Sequence, residues 1–326
     1  GVMIDNHEST AKHPTRNRLP SPGCLFSTLF GMCLVSVVAW QVWQVKQRMR
    51  LQRYLEQIDP TVGIETEPAS PIWLHDWVVA EFSKDEAAGF TNITVLTLGG
   101  SEISDEGLQR LTILTELREL MIFGSPQVTD EGVRHLATLE SLVWLVIDDT
   151  DTTDRGMEYV SKLVNLEFLS VNNTKVTDSG LQHLSELTRL ESIGLSGTRI
   201  TDSGLRHLEH LSKVEELVLD HTHVTDEGLR HLGRLHRLKY LYLNDTEVTD
   251  AGLEHLTGLR NLEWILLDNT EVSDSGLMRL RGMHNLRTVN VVGTRVTEEG
   301  ALTLQFEMPD CEVRLYPFGS AESRDF

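Results

Sequence analysis

The sequence predicts an α/β solenoid that follows a single transmembrane helix, and three observations lead to this prediction. A short phrase (an apolar residue, Thr or Ser, an acidic residue, any residue, Gly and a second apolar residue) recurs nine times, with Thr152 as the first residue of one copy. Each copy combines a helical and a strand-like spacing of apolar residues. Ahead of the copies, 22 consecutive residues carry no charge. The first two observations predict a solenoid, whose units bury their apolar faces by stacking, and the third predicts a membrane helix.

The acidic residue of each copy marks the period of the repeat. Successive copies are 25 residues apart once and 24 residues apart thereafter. A fixed period of this length over nine copies is typical of repeat architectures. The acidic positions are Asp105, Asp130, Asp154, Asp178, Asp202, Asp226, Asp250, Asp274 and Glu298.

Two periodicities meet within each copy. Leu181, Leu184 and Leu187 are three residues apart and can share one face of a short helix. Ile193 and Leu195 alternate with polar residues, as in a strand. The Thr-Asp pair of the phrase is suited to cap the helix, because either side chain accepts hydrogen bonds from the first unpaired N–H groups. Each repeat is therefore predicted to contain a short helix followed by a short strand.

The spacing of the leucines resembles that of a known family. Leu238, Leu241 and Leu243 follow the pattern Leu-x-x-Leu-x-Leu of the leucine-rich repeat superfamily. Over residues 92–317 the chain resembles the helix-bearing variety with a 24-residue Thr-Asp-x-Gly-Leu unit. This resemblance implies a horseshoe with a parallel sheet on the concave face and short helices on the convex face.

The chain departs from this family at the corner after each strand. Many members place Asn there, where its amide bonds to neighbouring backbone, whereas this chain has Thr. We expect a ladder of hydroxyl groups in place of the ladder of amides. The threonines are Thr150, Thr174, Thr198, Thr222, Thr246, Thr270 and Thr294.

Both ends of the repeat array differ from its interior, as the exposed ends of a solenoid require. An apolar stripe predicts an N-terminal capping helix over residues 73–91. Alternating apolar residues at 311–315 predict a last strand, and residues 318–326 are predicted to be a disordered tail. The stripe consists of Trp73, Leu74, Trp77, Val78 and Phe82.

The 22 residues from Cys24 to Val45 carry no charge, and about 20 such residues span a bilayer. We predict a basic tail over residues 1–22, a transmembrane helix over 23–45, and a juxtamembrane segment and linker over 46–72. The apolar region of a cleaved signal peptide is shorter, at about 7 to 15 residues. A lipoprotein anchor cysteine follows its apolar run, whereas Cys24 precedes this one. An uncleaved, single-pass anchor is therefore favoured.

The charges beside the run bear on its orientation. Three basic residues precede it and four follow it closely, so the positive-inside rule gives no strong asymmetry. A short basic tail before a first apolar run resembles a signal-anchor. That arrangement leaves the tail on the cytoplasmic side and the repeat domain on the non-cytoplasmic side of the membrane.

The composition of the remaining chain excludes several function classes. Residues 1–53 hold seven of the 29 Lys and Arg residues and two of the 49 acidic residues, which leaves 22 and 47, a net charge of −25. Such an acidic domain repels phosphate backbones, so we expect no nucleic-acid partner. The three cysteines form no disulfide framework or zinc spacing, and no glycine-rich phosphate loop or nucleophile elbow is present.

Residues between the core leucines of each strand are predicted to point out of the sheet on its concave side. We call this solvent-facing side of the sheet the sheet face. Neighbouring strands lie about 4.8 Å apart, so Tyr240 and Trp264, at equal positions of adjacent copies, should be in contact. Such aromatic residues either bind a ligand or only pack on one another. The candidate ligand-binding residues are Phe123, Trp144, Asp148, Phe168, Asn172, Asp220, Tyr240, Tyr242, Asn244, Trp264 and Asp268.

Catalysis and metal binding are disfavoured. Carboxylates two strands apart are separated by about 9.5 Å, the upper end of the range of about 6.5 to 9.5 Å in inverting glycosidases. An open sheet, however, offers no apolar pocket that would raise one pKa. Packed helices lie about 8 to 10 Å apart, too far for the histidines that follow the repeat glycines to share one zinc ion. We therefore predict no catalytic residue, no metal ligand and no cofactor.

These observations predict a membrane-tethered, non-catalytic recognition module that binds a protein partner through its sheet face. The chain resembles bacterial membrane-anchored leucine-rich repeat proteins in this respect. A cell-surface glycan-binding module, with the four aromatic residues as stacking platforms, is the alternative. A substrate receptor of a ubiquitin ligase is less favoured, because residues 55–91 show no F-box domain. The platforms would be Trp144, Phe168, Tyr240 and Trp264.

Overall fold

The computed structural model describes residues 46–48, 50–55, 63–68, 91–99 and 103–317. The chain divides into two compact units, Gly1–Lys46 and Gln47–Phe326. The predicted basic tail, transmembrane helix and C-terminal tail lie outside the described residues, as does the predicted capping helix except for its last position. Within the described ranges, no helix is long and apolar enough to cross a bilayer.

One sheet runs through the described part of the second unit, with its strands in chain order. β1 pairs antiparallel with β2, and every later strand pairs parallel with its predecessor. The predicted parallel sheet is confirmed. The strands are β1 (Gly63–Pro68), β2 (Thr91–Gly99), β3 (Glu119–Phe123), β4 (Trp144–Asp148), β5 (Phe168–Ser170), β6 (Ser192–Gly194), β7 (Glu216–Val218), β8 (Tyr240–Tyr242), β9 (Trp264–Leu266), β10 (Thr288–Asn290) and β11 (Glu312–Arg314).

A short helix lies between successive strands from β2 onwards, as the two periodicities predict. Each helix begins at the acidic residue of the repeated phrase. The helices are α1 (Asp105–Leu111), α2 (Asp130–Leu136), α3 (Asp154–Val160), α4 (Asp178–Leu181), α5 (Asp202–Leu205), α6 (Asp226–Leu232), α7 (Asp250–Leu253), α8 (Asp274–Leu277) and α9 (Glu298–Glu307). Short 3₁₀ turns continue four of them, at Gln182–Glu186, Arg206–Leu208, Glu254–Leu256 and Met278–Leu280.

The repeated leucines form the core between the sheet and the helices. Leu181, Leu184 and Leu187 on the helical side and Ile193 and Leu195 on the strand side are all fully buried. Equivalent residues of the repeats that begin at Asp105 to Asp274 belong to the same continuous cluster. Burying one such side chain stabilises the fold by about 1.5 to 3 kcal/mol, so stacking of the repeats supplies most of the stability.

The Thr-Asp pair of the phrase has two separate tasks. The threonine caps its own helix: the Thr177 hydroxyl accepts a hydrogen bond from the N–H of Ser179 at 3.3 Å. The aspartate reaches across to the next repeat: Asp154 accepts from the N–H and from the hydroxyl of Thr177, both at 2.7 Å. The acceptors are Asp105, Asp130, Asp154, Asp178, Asp202, Asp226, Asp250 and Asp274.

Two ordered elements, a helical segment and the strand β1, lie within residues 46–72, where the sequence predicts a juxtamembrane segment and linker. Residues 47, 48 and 50–55 are helical, and Leu51 and Leu55 are buried in the repeat core. The guanidinium of Arg110 in α1 lies 4.4 Å from the ring centre of Tyr54. Two leucines one helical turn apart are too short a pattern to indicate a helix. The first repeat is thus packed against residues that precede the predicted capping helix.

Candidate functional site

The sheet face carries its candidate residues in rows, because each strand pairs with the next in the same register. The first row follows the first outward residue of each strand, and both aromatic pairs lie in it. Trp144 and Trp264 are each 38% exposed, so part of each ring is open to solvent. Phe123 lies in a different row, opposite Asp148, and is 37% exposed. From β3 to β9, the first row is Glu119, Trp144, Phe168, Ser192, Glu216, Tyr240 and Trp264.

Trp144 and Phe168 form the first aromatic pair. Their rings are stacked, with centroids 3.6 Å apart and planes within 3° of parallel. Val146 and Ser170, the next outward residues of the same strands, are only 5% and 4% exposed. This part of the sheet face is therefore covered by neighbouring side chains. The stacked pair presents one joined apolar surface to solvent rather than two separate rings.

Tyr240 and Trp264 form the second aromatic pair, and their predicted contact is confirmed. The ring centroids are 6.2 Å apart with an interplanar angle of 67°, an edge-to-face arrangement. Aromatic rings favour this geometry because the positive edge of one meets the negative face of the other. The two aromatic pairs differ in this respect, since only the first is stacked face to face.

A polar stretch of the first row separates the two aromatic pairs. The hydroxyl of Ser192 donates to a carboxylate oxygen of Glu216 at 2.7 Å. Tyr242 lies in the adjacent row and is half-buried. Burial raises the pKa of the Tyr242 hydroxyl, and the neighbouring Glu216 carboxylate raises it further. The middle of the sheet face is therefore polar, with one carboxylate shared between hydroxyl groups.

The acidic and amide candidates form a third row, which we call the Asx row. Their side-chain oxygens accept hydrogen bonds from backbone N–H groups of the following repeat, at 2.7 to 2.9 Å. Asn172 Oδ1 accepts from Ser196, and because Ser196 has no carboxylate or amide the row is interrupted there. These bonds give the candidates a structural role whatever they bind. The Asx row is Asp148, Asn172, Asp220, Asn244 and Asp268.

The predicted ladder of threonine hydroxyls is wrong. Each corner hydroxyl donates to the carbonyl three residues earlier in its own repeat, at 2.6 to 2.9 Å. Thr150, for example, donates to Ile147. The hydroxyl is too short to reach the next strand, whereas the Asx side chains two residues earlier do so. The inter-repeat ladder therefore lies in the Asx row, among residues that the sequence assigned to ligand binding.

Burial raises the pKa of Asp148, Asp220 and Asp268, and hydrogen bonds from neighbouring groups oppose this shift. The sequence analysis identified no apolar pocket that would raise one of these pKa values; partial burial against the neighbouring strand raises them instead. Each aspartate lies half-buried against the next strand, so its charge is partly removed from water. The shift follows from the ladder itself, so it is not by itself a sign of acid–base chemistry.

In most repeats, the residue directly before the corner threonine or serine has a left-handed backbone conformation. This residue is glycine in three repeats, and it is Asp, Asn or His in five, where φ lies between 53° and 58°. His221 is one of these left-handed residues, and its Nδ1 lies 3.6 Å from a carboxylate oxygen of Asp245. Within the described ranges, no group of three or more His, Cys, Asp and Glu side chains could hold a metal ion.

The structure also shows a polar groove that the sequence does not indicate. Its volume is about 660 Å³, and it runs along the edge where strands β2 to β6 begin. The Arg189 guanidinium donates to Asn165 Oδ1 at 2.7 Å within it. Charged residues just before successive strands are the one feature of the sequence that relates to this groove. The groove is lined by Thr94, Glu116, Arg118, Ser141, Val143, Asn165, Glu167 and Arg189.

Comparisons with known proteins agree on the repeat and on the fold. A family model described as Leucine Rich repeat matches residues 91–111 and 210–233. No curated protein matches the chain. The crystal structure of internalin C2 from Listeria monocytogenes str. 4b F2365 is similar with a TM-score of 0.51 and 22% identity, over 66% of this chain and 84% of that chain. An internalin (inlF) from the same strain has a TM-score of 0.37 and 18% identity, over 81% and 97%.

The repeat in the sequence and the family model point to the same family, and the fold agrees with it. The phrase recurs nine times at a nearly constant period, and the structure turns each copy into a helix and a parallel strand. Two separate segments match the repeat model, and the fold is shared with internalin C2. The chain belongs to the leucine-rich repeat superfamily.

Proposed function

We propose that the chain is a non-catalytic recognition module whose sheet face binds a protein partner. The observation that carries this proposal is the presence of two partly exposed aromatic pairs in one row of the sheet face. Aromatic residues that remain accessible on a rigid surface are over-represented among the residues that dominate binding energy. The parallel sheet holds both pairs on one backbone framework, so a partner meets them already positioned.

Charge narrows the kind of partner. Glu119 and Glu216 lie in the same row as the aromatic pairs, and the Asx row adds three carboxylates beside them. Most of the chain is acidic, with a net charge of −25 outside residues 1–53. Opposite charge steers association and raises its rate. The expected partner surface carries apolar side chains among Lys and Arg residues.

The geometry favours a protein over a glycan. A sugar ring stacks on the free face of an aromatic ring, but Trp144 and Phe168 cover one face of each other at 3.6 Å. The joined surface suits apolar side chains of a protein, which pack against edges as well as faces. A glycan that binds this surface stays a defined outcome of the test below.

The test compares variants of the tagged full chain for capture of partners from its own cells. Replacing Tyr240 and Trp264 together by Ala should reduce capture of a specific protein about thirtyfold, the equivalent of about 2 kcal/mol for a dominant contact. Val164, which is 57% exposed but lies outside the strands, supplies the control variant Val164→Ala. The same protein should be captured by the parent chain and by this control.

Two outcomes contradict the proposal. Capture that is equal for the parent chain, the double variant and the control would exclude the sheet face. Loss of binding to purified cell-wall polysaccharide, with no captured protein affected, would assign the same residues to a glycan. A second double variant, with Trp144→Ala and Phe168→Ala, then shows whether both aromatic pairs contribute to binding.

We further propose that the module is tethered to a membrane through residues 24–45, with the repeats on the non-cytoplasmic side. Support comes from the 22 uncharged residues and from the basic residues on both sides of them. Protease added to intact spheroplasts should digest the repeats while a cytoplasmic marker survives. Protection of the repeats until the membrane is broken would reverse the orientation, and extraction by alkaline carbonate would exclude the span.

A further inference from the structure

The first row of the sheet face repeats one order of side chains with a period of four strands. A glutamate is followed by two aromatic residues and then by a residue with a hydroxyl group. This order occurs twice, and the glutamate of β11 begins it again. From β3 to β11, the first row reads Glu119, Trp144, Phe168, Ser192, Glu216, Tyr240, Trp264, Thr288 and Glu312.

The first two glutamates of this order lack a partner of opposite charge. Glu119 and Glu216 are half-buried, and neither forms an ion pair with a described residue. Glu216 accepts a hydrogen bond from the hydroxyl of Ser192 at 2.7 Å, which is a neutral donor. The ammonium of Lys239 donates instead to the adjacent Glu215 at 2.6 Å. The described chain therefore leaves two negative charges of the first row uncompensated.

The glutamate of β11 differs from the other two. The carboxylate of Glu312 accepts from the guanidinium of Arg314 at 2.7 Å, so its cation comes from the same strand. Among the described residues, no aromatic pair follows it. An uncompensated glutamate followed by an aromatic pair therefore occurs twice. The first subsite is Glu119 with Trp144 and Phe168, and the second subsite is Glu216 with Tyr240 and Trp264.

The two subsites are related by a shift along the sheet. Equivalent positions are four strands apart, which is about 19 Å at about 4.8 Å per strand. Within each subsite, the glutamate lies one strand before the first ring and about 7 Å from the middle of the aromatic pair. A ligand that fills both subsites must therefore present the same two groups twice, about 19 Å apart.

An extended polypeptide has matching spacings. It rises about 3.3 Å per residue, so two residues cover about 6.6 Å and six residues cover about 20 Å. Both intervals are even, and side chains an even number of residues apart lie on one face of an extended chain. An α-helix fits less well. The roughly 13 residues that rise about 19 Å turn the helix by about 220°, which places the second pair of groups on its far side.

We propose that the sheet face binds one extended segment of its protein partner, in which a basic residue and an apolar residue two positions away recur after six residues. This inference rests on the proposed function and specifies the segment that is recognised. Each Lys or Arg pairs with the glutamate of one subsite, and each apolar side chain packs against the aromatic pair. Glu119 and Glu216 are then specificity-determining residues, because their charge selects the basic residue.

Synthetic peptides test the spacing. The probe is a fluorescent peptide in which Lys-Ser-Phe occurs twice, with starts six residues apart and Ser or Thr elsewhere. A matched peptide has the same length and composition, but its second unit starts five residues after the first and lies on the opposite side. Fluorescence anisotropy measures binding to the full chain in detergent. The matched peptide should bind at least about tenfold more weakly, because it fills only one subsite.

Equal binding of the two peptides would overturn the spacing, and so would a probe that does not bind. Glu216→Gln tests the charge pairing: it keeps an oxygen acceptor for Ser192 and should weaken probe binding about tenfold. The control is Glu227→Gln, because that side chain is 59% exposed and pairs with Arg230 on α6. The control changes the net charge equally and should leave binding unchanged. Equal weakening by both variants would assign the effect to net charge and overturn the pairing.

Exchanging the charges tests direct contact. Glu119→Lys together with Glu216→Lys should abolish binding of the probe. A peptide with Glu in place of both Lys residues should bind this variant instead and should not bind the parent chain. A folded variant that binds neither peptide would contradict direct pairing.

Capture of the cellular partner separates this inference from the proposed function. The captured protein should contain a segment with the stated spacing, and Glu119→Gln with Glu216→Gln should reduce its capture. Capture that is lost with Tyr240→Ala and Trp264→Ala but unchanged by the glutamate variant would keep the sheet face as the binding surface and overturn this inference alone. Capture that neither double variant changes would overturn the proposed function as well.

Discussion

The carboxylate of Asp226 holds Thr249 of the next repeat through two hydrogen bonds. Oδ1 accepts from the Thr249 N–H at 2.8 Å, and Oδ2 accepts from the Thr249 hydroxyl at 2.6 Å. The same hydroxyl caps α7 by accepting from the N–H of Ala251 at 3.3 Å. The helix of one repeat thus fixes the start of the helix in the next. Stability of each repeat accordingly depends on its neighbour.

Asp226→Ala should destabilise the repeat array by about 1.5 to 3 kcal/mol, the range for hydrogen bonds to a charged group. The change leaves both the N–H and the hydroxyl of Thr249 without their acceptor in a partly buried place. Urea unfolding followed by circular dichroism measures the loss as a lower midpoint. The adjacent change Glu227→Ala is the control, because that side chain is 59% exposed and pairs with Arg230 on the helix surface. Its expected effect is under about 0.5 kcal/mol, and equal losses would contradict the inter-repeat role.

Gly252→Ala should also destabilise the chain, although Ala favours helices over Gly by about 1 kcal/mol. A Cβ at Gly252 would lie 2.4 Å from Asp226 Oδ1 and 3.1 Å from the Asp226 Cα, which is backbone and cannot move aside. Overpacking of this kind costs about 1 to 3 kcal/mol. At Gly258 a Cβ would meet nothing within 4 Å, so Gly258→Ala should be neutral or slightly stabilising. Thermal unfolding of both variants tests the contrast, and a stable Gly252→Ala chain would show that the carboxylate is not held there.

The helices and strands follow from the sequence because each repeat offers the same local choice many times. Every helix begins at the predicted acidic residue, and the buried leucines occupy the predicted face. The hydrogen-bond partner of the Asp226 carboxylate, in contrast, does not follow from the sequence. A carboxylate at a helix start can bond to N–H groups of its own helix or to those of a neighbour, and spacing along one chain does not distinguish them. The glycine two residues after each aspartate indicates the direction. Because this glycine has no Cβ, it leaves room for the aspartate carboxylate of the previous repeat.

The candidate site was predictable in position but not in detail. Strand register places Trp144 beside Phe168 and Tyr240 beside Trp264. Whether a pair stacks or meets edge to face depends on side-chain rotamers, and these are set by packing that the sequence does not display. Asp or Asn two residues before five of the seven corner threonines marks the inter-repeat ladder. That pattern is visible in the sequence once the ladder is known to need a side-chain acceptor.

His221→Val should destabilise the chain by about 1 to 2 kcal/mol, the cost of the left-handed conformation for a residue that tolerates it poorly. His221 has a φ of 54°, and other repeats place Asp, Asn or Gly at this corner. His221→Asn should preserve stability, because the amide side chain tolerates this conformation. The loss does not reflect burial, since the His221 side chain is 63% exposed. Urea midpoints measure both changes; His223→Val, two residues on, is the control, and an equal loss there would remove the conformational explanation.

Asp268 gives the stability of the array a dependence on pH. Burial raises the pKa of its carboxyl, so the folded chain keeps this proton to a higher pH than the unfolded chain, whose carboxyl has a pKa of about 3.9. The stability contributed by the protonated form is complete below the unfolded pKa. It is lost as pH rises through the folded pKa, because the folded chain must then ionise a half-buried group.

Asp268→Asn should therefore raise Tm relative to the parent chain at about pH 7, with a gain that shrinks towards about pH 3, where the parent aspartate is protonated in both states. The amide oxygen can still accept from the N–H of Val292, the bond that Oδ1 makes at 2.9 Å, so the inter-repeat contact is kept. Asn244→Asp is the reciprocal variant: it adds a carboxylate between Asp220 and Asp268 in the Asx row and should lower Tm more at the higher pH. Thermal unfolding across this pH range measures both. A gain for Asp268→Asn that is constant with pH would mean that packing or hydrogen bonding, and not ionisation of a half-buried acid, governs the difference.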